Sequence, residues 1–353
     1  MKFNADPTIT FNDKTTGPTP EIIVPKVEPE HVTMEIYTDV PKKFMAKYNR
    51  YEPVIKDSTQ MMTAKTCFRR YFYQIVLGRV SKESAIYFAW GSAYHKFREV
   101  LELTYGVGDA CPPTFDAERA MEAFTAAVNA GMTYWRKYGA DQPVGSRFEF
   151  MTAGRLLASF QTAYEHWQRE KMQGRIKVLA VEQVFNVALP NGDRTSGRAD
   201  QIVRWNERLW GRDFKTTSKD EKYYNRTIEP NDQFTRYTYA EGELTGEPIQ
   251  GQMIEVLYNA KSTKTTTKGP TIFTLLASRT QWQVEEWTKD EEMWRWMLDK
   301  CREEDRYPMN ESSCAFCEYH SVCTKPSEAA MMAQLESYFV VRPWDNTKIG
   351  VSD

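Results

Sequence analysis

The chain has 353 residues, of which 41% are apolar and 27% charged, and its formal net charge is −2. That balance describes a soluble globular protein long enough for one large core or two smaller ones, and it excludes a disordered polyelectrolyte and a bulk-basic nucleic-acid binder. Any nucleic-acid contact must come from a local basic surface. The start, Met1-Lys2-Phe3-Asn4-Ala5-Asp6, lacks the apolar run of a signal peptide, and no stretch is long and uncharged enough to span a bilayer, so a cytoplasmic protein with no membrane contact is expected. Six cysteines in such a chain argue against a disulfide scaffold and for metal or redox use of some of them.

Residues 1–57 are rich in Pro, Thr and Glu, with weak periodicity apart from Ile22-Ile23-Val24, and read as an extended, partly disordered arm. From Ser58 the pattern turns helical, carrying Lys65, Cys67, Arg69 and Arg70 ahead of Tyr71-Phe72-Tyr73; one face is basic and another is core. Three helices are predicted over Ser84–Tyr105, Phe115–Tyr138 and Phe150–Lys171. The first contains Gly91-Ser92-Ala93-Tyr94-His95, where a lone histidine is by itself an ordinary core or surface residue. His31 and His166 have no supporting context.

Val178–Leu189 reads as a strand, Pro190-Asn191-Gly192-Asp193 as a tight hairpin, Thr195–Trp205 as a second strand, Asn206-Glu207-Arg208 as a turn and Leu209–Thr216 as a third strand. The meander sets Gly197-Arg198-Ala199-Asp200 beside Asp213-Phe214-Lys215, which follow a spacer of twelve residues. Asp200 and Asp213 then lie on neighbouring strands, and Lys215 shares a side with Asp213 because side chains alternate with period two. Such a cluster suits a hard divalent cation, since Mg²⁺ takes a few carboxylate oxygens and keeps other positions for water and phosphate. A nearby ammonium can orient an attacking water or neutralise charge on the phosphate. The chemistry indicated is metal-assisted phosphodiester hydrolysis, although an isolated D-x-K triplet is more often an exposed hairpin with solvated charges.

Pro230 and Asp232 open a helix bearing Gln233 and Tyr237, which stack on one face as ordinary surface residues or as a polar pair aimed at the carboxylates. Strands over Gln252–Asn259 and Thr271–Ala277 flank a lysine-rich tip, Ala260–Gly269, in which Lys261, Lys264 and Lys268 meet no acid. Such a tip is usually just solvated, but beside a nuclease site it would grip phosphates. Gln281–Glu303 is strongly helical, and its Trp282, Trp287, Trp294 and Trp296 are expected to be core and support. Cys314, Cys317 and Cys323 form C-x₂-C-x₅-C, a metal signal; His320 as fourth ligand would make structural zinc, and Cys67 would make an iron–sulfur cluster. Cys111 and Cys301 read as simple thiols, Ser327–Tyr338 as a short helix, and the remainder as a loose tail.

Taken together these positions resemble the RecB-like exonuclease branch of the PD-(D/E)XK nuclease superfamily, especially its iron–sulfur members, which include the AddB nuclease domain and the CRISPR-associated RecB-like nucleases. The family pattern is G-x₃-H on a helix, a Glu in the strand before the first Asp, G-x-x-D, D/E-x-K and Q-x₃-Y. Here these stand, in order, as Gly91 to His95, Glu182, Gly197 to Asp200, Asp213 to Lys215, and Gln233 to Tyr237. The cluster signature stands as Cys67 with Cys314, Cys317 and Cys323.

The resemblance implies an α/β fold: a restriction-endonuclease-like core with a central mixed β-sheet flanked by helices, an added helical region and a four-cysteine iron–sulfur staple. The nuclease domain would span 58–323, as a helical part at 58–175, a catalytic sheet core at 176–280 and a helix with the cysteine cluster at 281–323, followed by a C-terminal helix and tail at 324–353. It further implies Mg²⁺ or Mn²⁺ held by His95, Asp200, Asp213 and the backbone carbonyl of Phe214. Lys215 would act on the attacking water, Gln233 and Tyr237 would hold the strand or the water, and Glu182 is an additional site candidate. A 4Fe-4S cluster would sit on Cys67, Cys314, Cys317 and Cys323, with DNA against Lys261, Lys264, Lys268, Arg69 and Arg70. No G-x₄-G-K-[ST] motif occurs, so a free-standing nuclease is expected, or a subunit whose helicase or recombination partner is a separate protein. The activity implied is a divalent-metal-dependent DNA exonuclease of recombination, repair or end processing. A catalytically silent iron–sulfur scaffold that binds DNA is the alternative, opposed by the intact Asp200, Asp213 and Lys215, and a zinc-stabilised adaptor leaves the nuclease motifs unexplained.

Overall fold

A computed structural model of the chain describes residues 49–82, 86–139, 149–260 and 269–345. Lys261, Lys264 and Lys268 of the lysine-rich tip, the expected helix start at Ser84, the arm through residue 48 with its Ile22-Ile23-Val24 patch and His31, and residues 346–353 lie outside the described residues. In chain order, β1 (Lys56–Asp57), α1 (Ser58–Thr66), α2 (Phe68–Tyr71) and a π-helical turn (Phe72–Val76) lead to β2 (Arg79–Ser81) and three long helices. These are α3 (Ile86–Tyr105), α4 (Ala117–Tyr138) and α5 (Ala153–Gln173). The expected meander follows as β3 (Ile176–Ala188), β4 (Arg194–Trp205) and β5 (Arg208–Thr217). After it come α6 (Glu221–Asn225), α7 (Asp232–Thr245), β6 (Ile249–Tyr258), β7 (Thr271–Ser278), α8 (Gln281–Glu303), α9 (His320–Cys323), α10 (Glu328–Tyr338) and β8 (Phe339–Val341).

The sheet runs β1-β4-β5-β6-β7 with β3 paired to β4, and it is mixed: β1–β4 and β5–β6 are parallel and the other pairs antiparallel. The parallel step from β5 to β6 needs a crossover, and α6 and α7 provide it. Asn206 and Glu207 both take left-handed φ, at 48° and 60°, which suits a tight β4–β5 turn to the twist of its strands. The β4–β5 ladder runs from Trp205↔Arg208 only as far as Gln201↔Arg212. Beyond that point β4 pairs instead with β1, at Lys56↔Thr195 and Asp57↔Ser196. The two central strands therefore fork.

Helices α3, α4 and α5 cover one face, where Trp90, Phe97, Leu101, Phe160 and Trp167 are buried with Phe214 and Leu257 from the sheet. Phe97 and Phe160 stack with ring centres 4.4 Å apart. Each such buried ring contributes roughly 1.5–3 kcal/mol. On the other face, α7 lays Phe234 over Ile254, Val256 and Ala277. A third cluster joins Met61, Phe72 and Tyr73 to Leu298, Tyr307, Tyr319 and Leu335, so the two ends of the described chain share a core. No described helix is long and apolar enough to cross a membrane.

Several boundaries differ from expectation for local reasons. α4 and α5 begin at Ala117 and Ala153 because Asp116 and Thr152 cap them, accepting from the N–H of Arg119 and Arg155. Residues 50–57 are not a loose arm: Glu52 accepts from Tyr71 Oη at 2.9 Å and Lys56 Nζ at 3.0 Å, and Lys56–Asp57 join the sheet. Nor is all of the C-terminal tail loose, since β8 pairs with β2 and the Trp344 indole donates to Asp57 at 2.6 Å. Trp282 and Trp296 are 67% and 54% exposed and are not core. The inward face of α8 is Trp287, Glu291, Arg295 and Leu298, because Glu291 accepts both Nη atoms of the buried Arg236 on α7, at 3.0 and 2.8 Å.

Candidate active site

The site forms where β4 and β5 part. Continuing the register one step past Gln201↔Arg212 brings Asp200 opposite Asp213, and no ladder bond joins them. Asp200 instead accepts the Phe214 N–H on Oδ2 at 2.7 Å, so a carboxylate replaces the missing strand partner. The Lys215 ammonium lies 2.9 and 2.8 Å from the two Asp213 oxygens, as the period-two reading requires. Gly197 is needed for packing, because a Cβ there would lie 2.3 Å from the Phe185 ring that covers it from β3.

From α3, His95 places Nδ1 3.3 Å from Asp200 Oδ2. From β3, Glu182 arrives by a strained route. It lies between the pairs Val181↔Gln201 and Gln183↔Ala199, opposite Asp200, with φ at 51°. A non-glycine residue held in that region is unusual within a strand and marks a side chain the surrounding structure has re-aimed. His95, Glu182 and Asp200 each offer a ligand atom within 4.8 Å of the others, a group able to hold a metal ion. Asp213 is not in that group; it is engaged by Lys215 and by Gln233, whose amide donates to Oδ1 at 3.3 Å. Tyr237, one turn further along α7, is buried edge-on against Phe185 with ring centres 5.4 Å apart. Thus the structure brings together every sheet-side residue named from sequence, in two adjoining clusters.

Three carboxylates in a largely buried place perturb one another. Burial, then the charge of Asp200, push Glu182 up to about 7. Burial also raises Asp213, against the pull of Lys215 and with added push from Asp200. Asp200 moves the other way: burial would raise it, but His95, Lys215 and the Phe214 N–H together hold it below the usual carboxylate value. For His95 burial opposes the charged form, and the Asp200 carboxylate outweighs it and raises the imidazole. Arg198 adds a guanidinium Nε 2.7 Å from Glu182.

Sequence reading missed the layer beneath. On the α3–α5 side of the sheet, Glu255 of β6 is fully buried, ion-paired with Arg212 of β5 and Arg98 of α3, the latter at 3.3 Å. It also accepts from Tyr94 Oη at 3.0 Å. His166 lies 3.6 Å from Glu170 and 3.9 Å from Glu255, forming a second group of possible metal ligands, but Arg212 already pairs with both carboxylates. The signals were a lone acid inside the apolar run of β6 and a His–Glu pair four residues apart on α5.

Arg69 and Arg70 stand away from the carboxylates. Arg69 donates to the Tyr307 carbonyl at 2.8 Å and Arg70 pairs with Glu318 at 3.2 Å, both on the cysteine-bearing segment. There Cys67 Sγ accepts the Asn310 N–H at 3.3 Å, and Cys314 Sγ lies 3.7 Å from the Asn310 carbonyl. Burial raises the thiols of Cys317 and Cys323, and Cys67 is among the charges acting on each. His320 is exposed.

The Glu182 shift has a consequence for stability. Its folded value of about 7 lies above the ordinary 4.5, so the folded state holds the proton more tightly. The resulting stabilisation is complete below 4.5 and is lost as pH rises to about 7. With divalent ions chelated, unfolding free energy should fall by about 3 kcal/mol across this window, and Glu182→Gln should flatten the fall. Equal pH slopes for the two proteins in denaturant titrations would contradict the assignment.

A family profile described as the PD-(D/E)XK nuclease superfamily matches residues 58–324. Among solved structures, one from Eubacterium rectale, named as a candidate exonuclease, is similar with a TM-score of 0.46 and 11% identity, covering 79% of this chain and 92% of that one. Another, SSO0001, is similar with a TM-score of 0.26 and 9% identity, covering 75% and 96%. No curated protein matches the chain. At these scores the two structures bear on neither fold nor activity, whereas the family match runs from α1 through β3 to β7 and the cysteines. The chain belongs to the PD-(D/E)XK nuclease superfamily.

Proposed function

We propose that the chain is a divalent-metal-dependent deoxyribonuclease that hydrolyses phosphodiester bonds at DNA ends, in recombination, repair or end processing. The supporting observation is the fork, where Asp200 and Asp213 leave the ladder at opposite positions beside the half-buried Lys215. A binding protein gains nothing from acids set against DNA phosphates. The donor set fits a hard divalent ion, with His95, Asp200 and the Glu182 carboxylate in reach of one another. Asp213 and the Phe214 carbonyl complete the set from β5. When bound, Mg²⁺ or Mn²⁺ supplies the Lewis acid that polarises the scissile phosphate and acidifies water.

The chain's own groups do the rest. Burial opposes the Lys215 charge, but Asp213 and Asp200 outweigh it and raise its pKa, so the ammonium stays protonated and serves as a donor to water or phosphate rather than as a base. Burial pushes the Tyr237 hydroxyl up to about 12, which keeps it a hydrogen-bond donor. Gln233 fixes the Asp213 carboxylate, leaving that group oriented toward the fork. Lys261, Lys264 and Lys268 are proposed to hold phosphates from the tip between β6 and β7. Arg69 and Arg70 take no part in this reading, since both are committed to the cysteine segment.

The same reading places a 4Fe-4S cluster on Cys67, Cys314, Cys317 and Cys323. Its support is that Cys67 meets the Asn310 loop across 243 residues of chain, while His320 points to solvent. A shared metal there would close a long loop, whose entropy grows only logarithmically with length. It would hold α1 and α2 to the C-terminal segment without entering hydrolysis.

Asp200→Ala, Asp213→Ala and Lys215→Ala should each abolish cleavage of end-labelled DNA in Mg²⁺ or Mn²⁺ while leaving circular dichroism unchanged, and His95→Ala should slow it severely. Cleavage by Asp213→Ala at the wild-type rate would remove the proposed site. Circular DNA should survive, if ends are the substrate. Anaerobically purified protein should be brown with about four irons per chain, and Cys67→Ala should lose both the colour and thermal stability. One zinc, no iron and a dispensable Cys67 would replace the cluster with a local zinc site.

A further inference from the structure

Beside the fork lies a cavity of about 740 Å³, lined by Tyr87, Phe150, Met151, Thr216, Lys219 and Asn259 among others. We infer that this cavity is a base-stacking subsite for an unpaired nucleotide near the scissile phosphate, which makes a single strand or a frayed end the substrate class. The inference rests on the nuclease reading and adds to it.

Continuity with the catalytic centre is the first observation. Thr216 directly follows Lys215, and Gly91, one turn before His95 on α3, lies against Thr216, whose Oγ1 would be in ordinary contact with an added Cβ at 3.7 Å. Tyr87 and His95 are separated by eight residues of α3, about 12 Å at 1.5 Å per residue. That is about three to four base steps at 3.4 Å, and fewer in an extended strand.

The lining chemistry is the second. Tyr87, 43% exposed, lines the cavity, and Phe88 beside it, outside the lining, is 65% exposed with ring centres 4.5 Å apart, so two large rings stand at the start of the helix that carries His95. Lys219 lies over the Tyr223 ring at 4.3 Å, giving the rim a cation. Thr216, Thr217 and Ser218 add hydroxyls, and no carboxylate is among the described residues of the lining. Arg155 braces the far wall, donating to Asn259 Oδ1 at 2.6 Å and to the Ala260 carbonyl at 3.0 Å. By contrast, the groove of about 560 Å³ over α8 sets Glu229, Asp232, Glu286 and Asp290 against Lys65 and Arg279, an acidic balance that disfavours a nucleic acid.

Aromatic faces joined to a cationic rim take up bases without regard to sequence, because every base presents a π-face. A base inside a duplex has both faces covered by its neighbours. A base freed from the duplex can give a face to Tyr87, whereas in an intact duplex only the last pair at an end has one uncovered.

The test is binding of a single-stranded oligonucleotide carrying 2-aminopurine, with divalent ions chelated to prevent turnover. Wild-type protein should quench the probe, and Tyr87→Ala with Phe88→Ala should weaken binding by about 5- to 150-fold, the range set by losing one stacked base. Tyr87→Phe with Phe88→Tyr should restore both quenching and affinity. An abasic oligonucleotide should bind the alanine variant and the wild type alike. Should the double variant unfold, Tyr87→Ala alone, at the ring that lines the cavity, is read in the same way. The inference is overturned by wild-type affinity and quenching in the alanine variant, or by an equal loss with the abasic strand. If cleavage of end-labelled DNA persists in either case, only the subsite has failed. If wild-type protein neither binds nor cleaves DNA, the nuclease reading has failed and the subsite with it.

Discussion

Two strands that pair as far as Gln201 and Arg212 and then separate are the constraint on which the rest of the site depends. Had the ladder continued, Asp200 and Asp213 would face each other as like charges across a paired step, an arrangement that destabilises a sheet. The separation leaves backbone groups to satisfy, and each side finds a different partner. On β5 the Phe214 N–H is taken by the Asp200 carboxylate, and on β4 the freed edge is taken by two residues of β1. The opening therefore costs little in unpaired backbone. It gives His95 from α3 and Glu182 from β3 access to the same carboxylate.

Below the fork, a buried charge layer holds the elements in place. Glu255 receives Arg98 and Tyr94 from α3 and Arg212 from β5, so the helix carrying His95 and the strand carrying Asp213 are bound to one carboxylate. Removing one partner from such a pair costs about 3–5 kcal/mol because a charge is left buried. A comparable arrangement stands on the opposite face, where Arg236 ties α7 to α8 through Glu291 and reaches Thr195 of β4 at 2.8 Å. Gln233 and Tyr237 thus sit on a helix fixed at both the sheet and its outer neighbour. The candidate site is mounted on polar clamps rather than on apolar packing alone.

The meander was legible because its signals are local: period-two strands, Asn191-Gly192 at one turn and polar residues at the next. The convergence of Asp200, Asp213 and Lys215 followed from the same alternation. What could not be read was the fork, which requires β1 to insert some 140 residues earlier in the chain, with Lys56 registered on Thr195. Nor could sequence foresee the left-handed φ that aims Glu182, since that strain is imposed by the surrounding sheet. Trp282 and Trp296 face outward, against the expectation from their size, because Glu291 and Arg295 claim the inward face of α8, Glu291 through Arg236 on α7 and Arg295 through Glu291. Buried ion pairs invert the rule that apolar residues mark the core.

The central claim is that the crowded carboxylates at the fork form a cation site in which Asp200 is shared by α3, β3 and β5. Calorimetric titration of metal-free protein with Mn²⁺ at neutral pH tests it directly, with Asp200→Asn as the comparison. The account requires one saturable site in the wild type, with protons released as Glu182 ionises, and a loss of that site in the variant together with any Mn²⁺-dependent rise in melting temperature. Binding of Mn²⁺ by Asp200→Asn with unchanged affinity and proton release would contradict it.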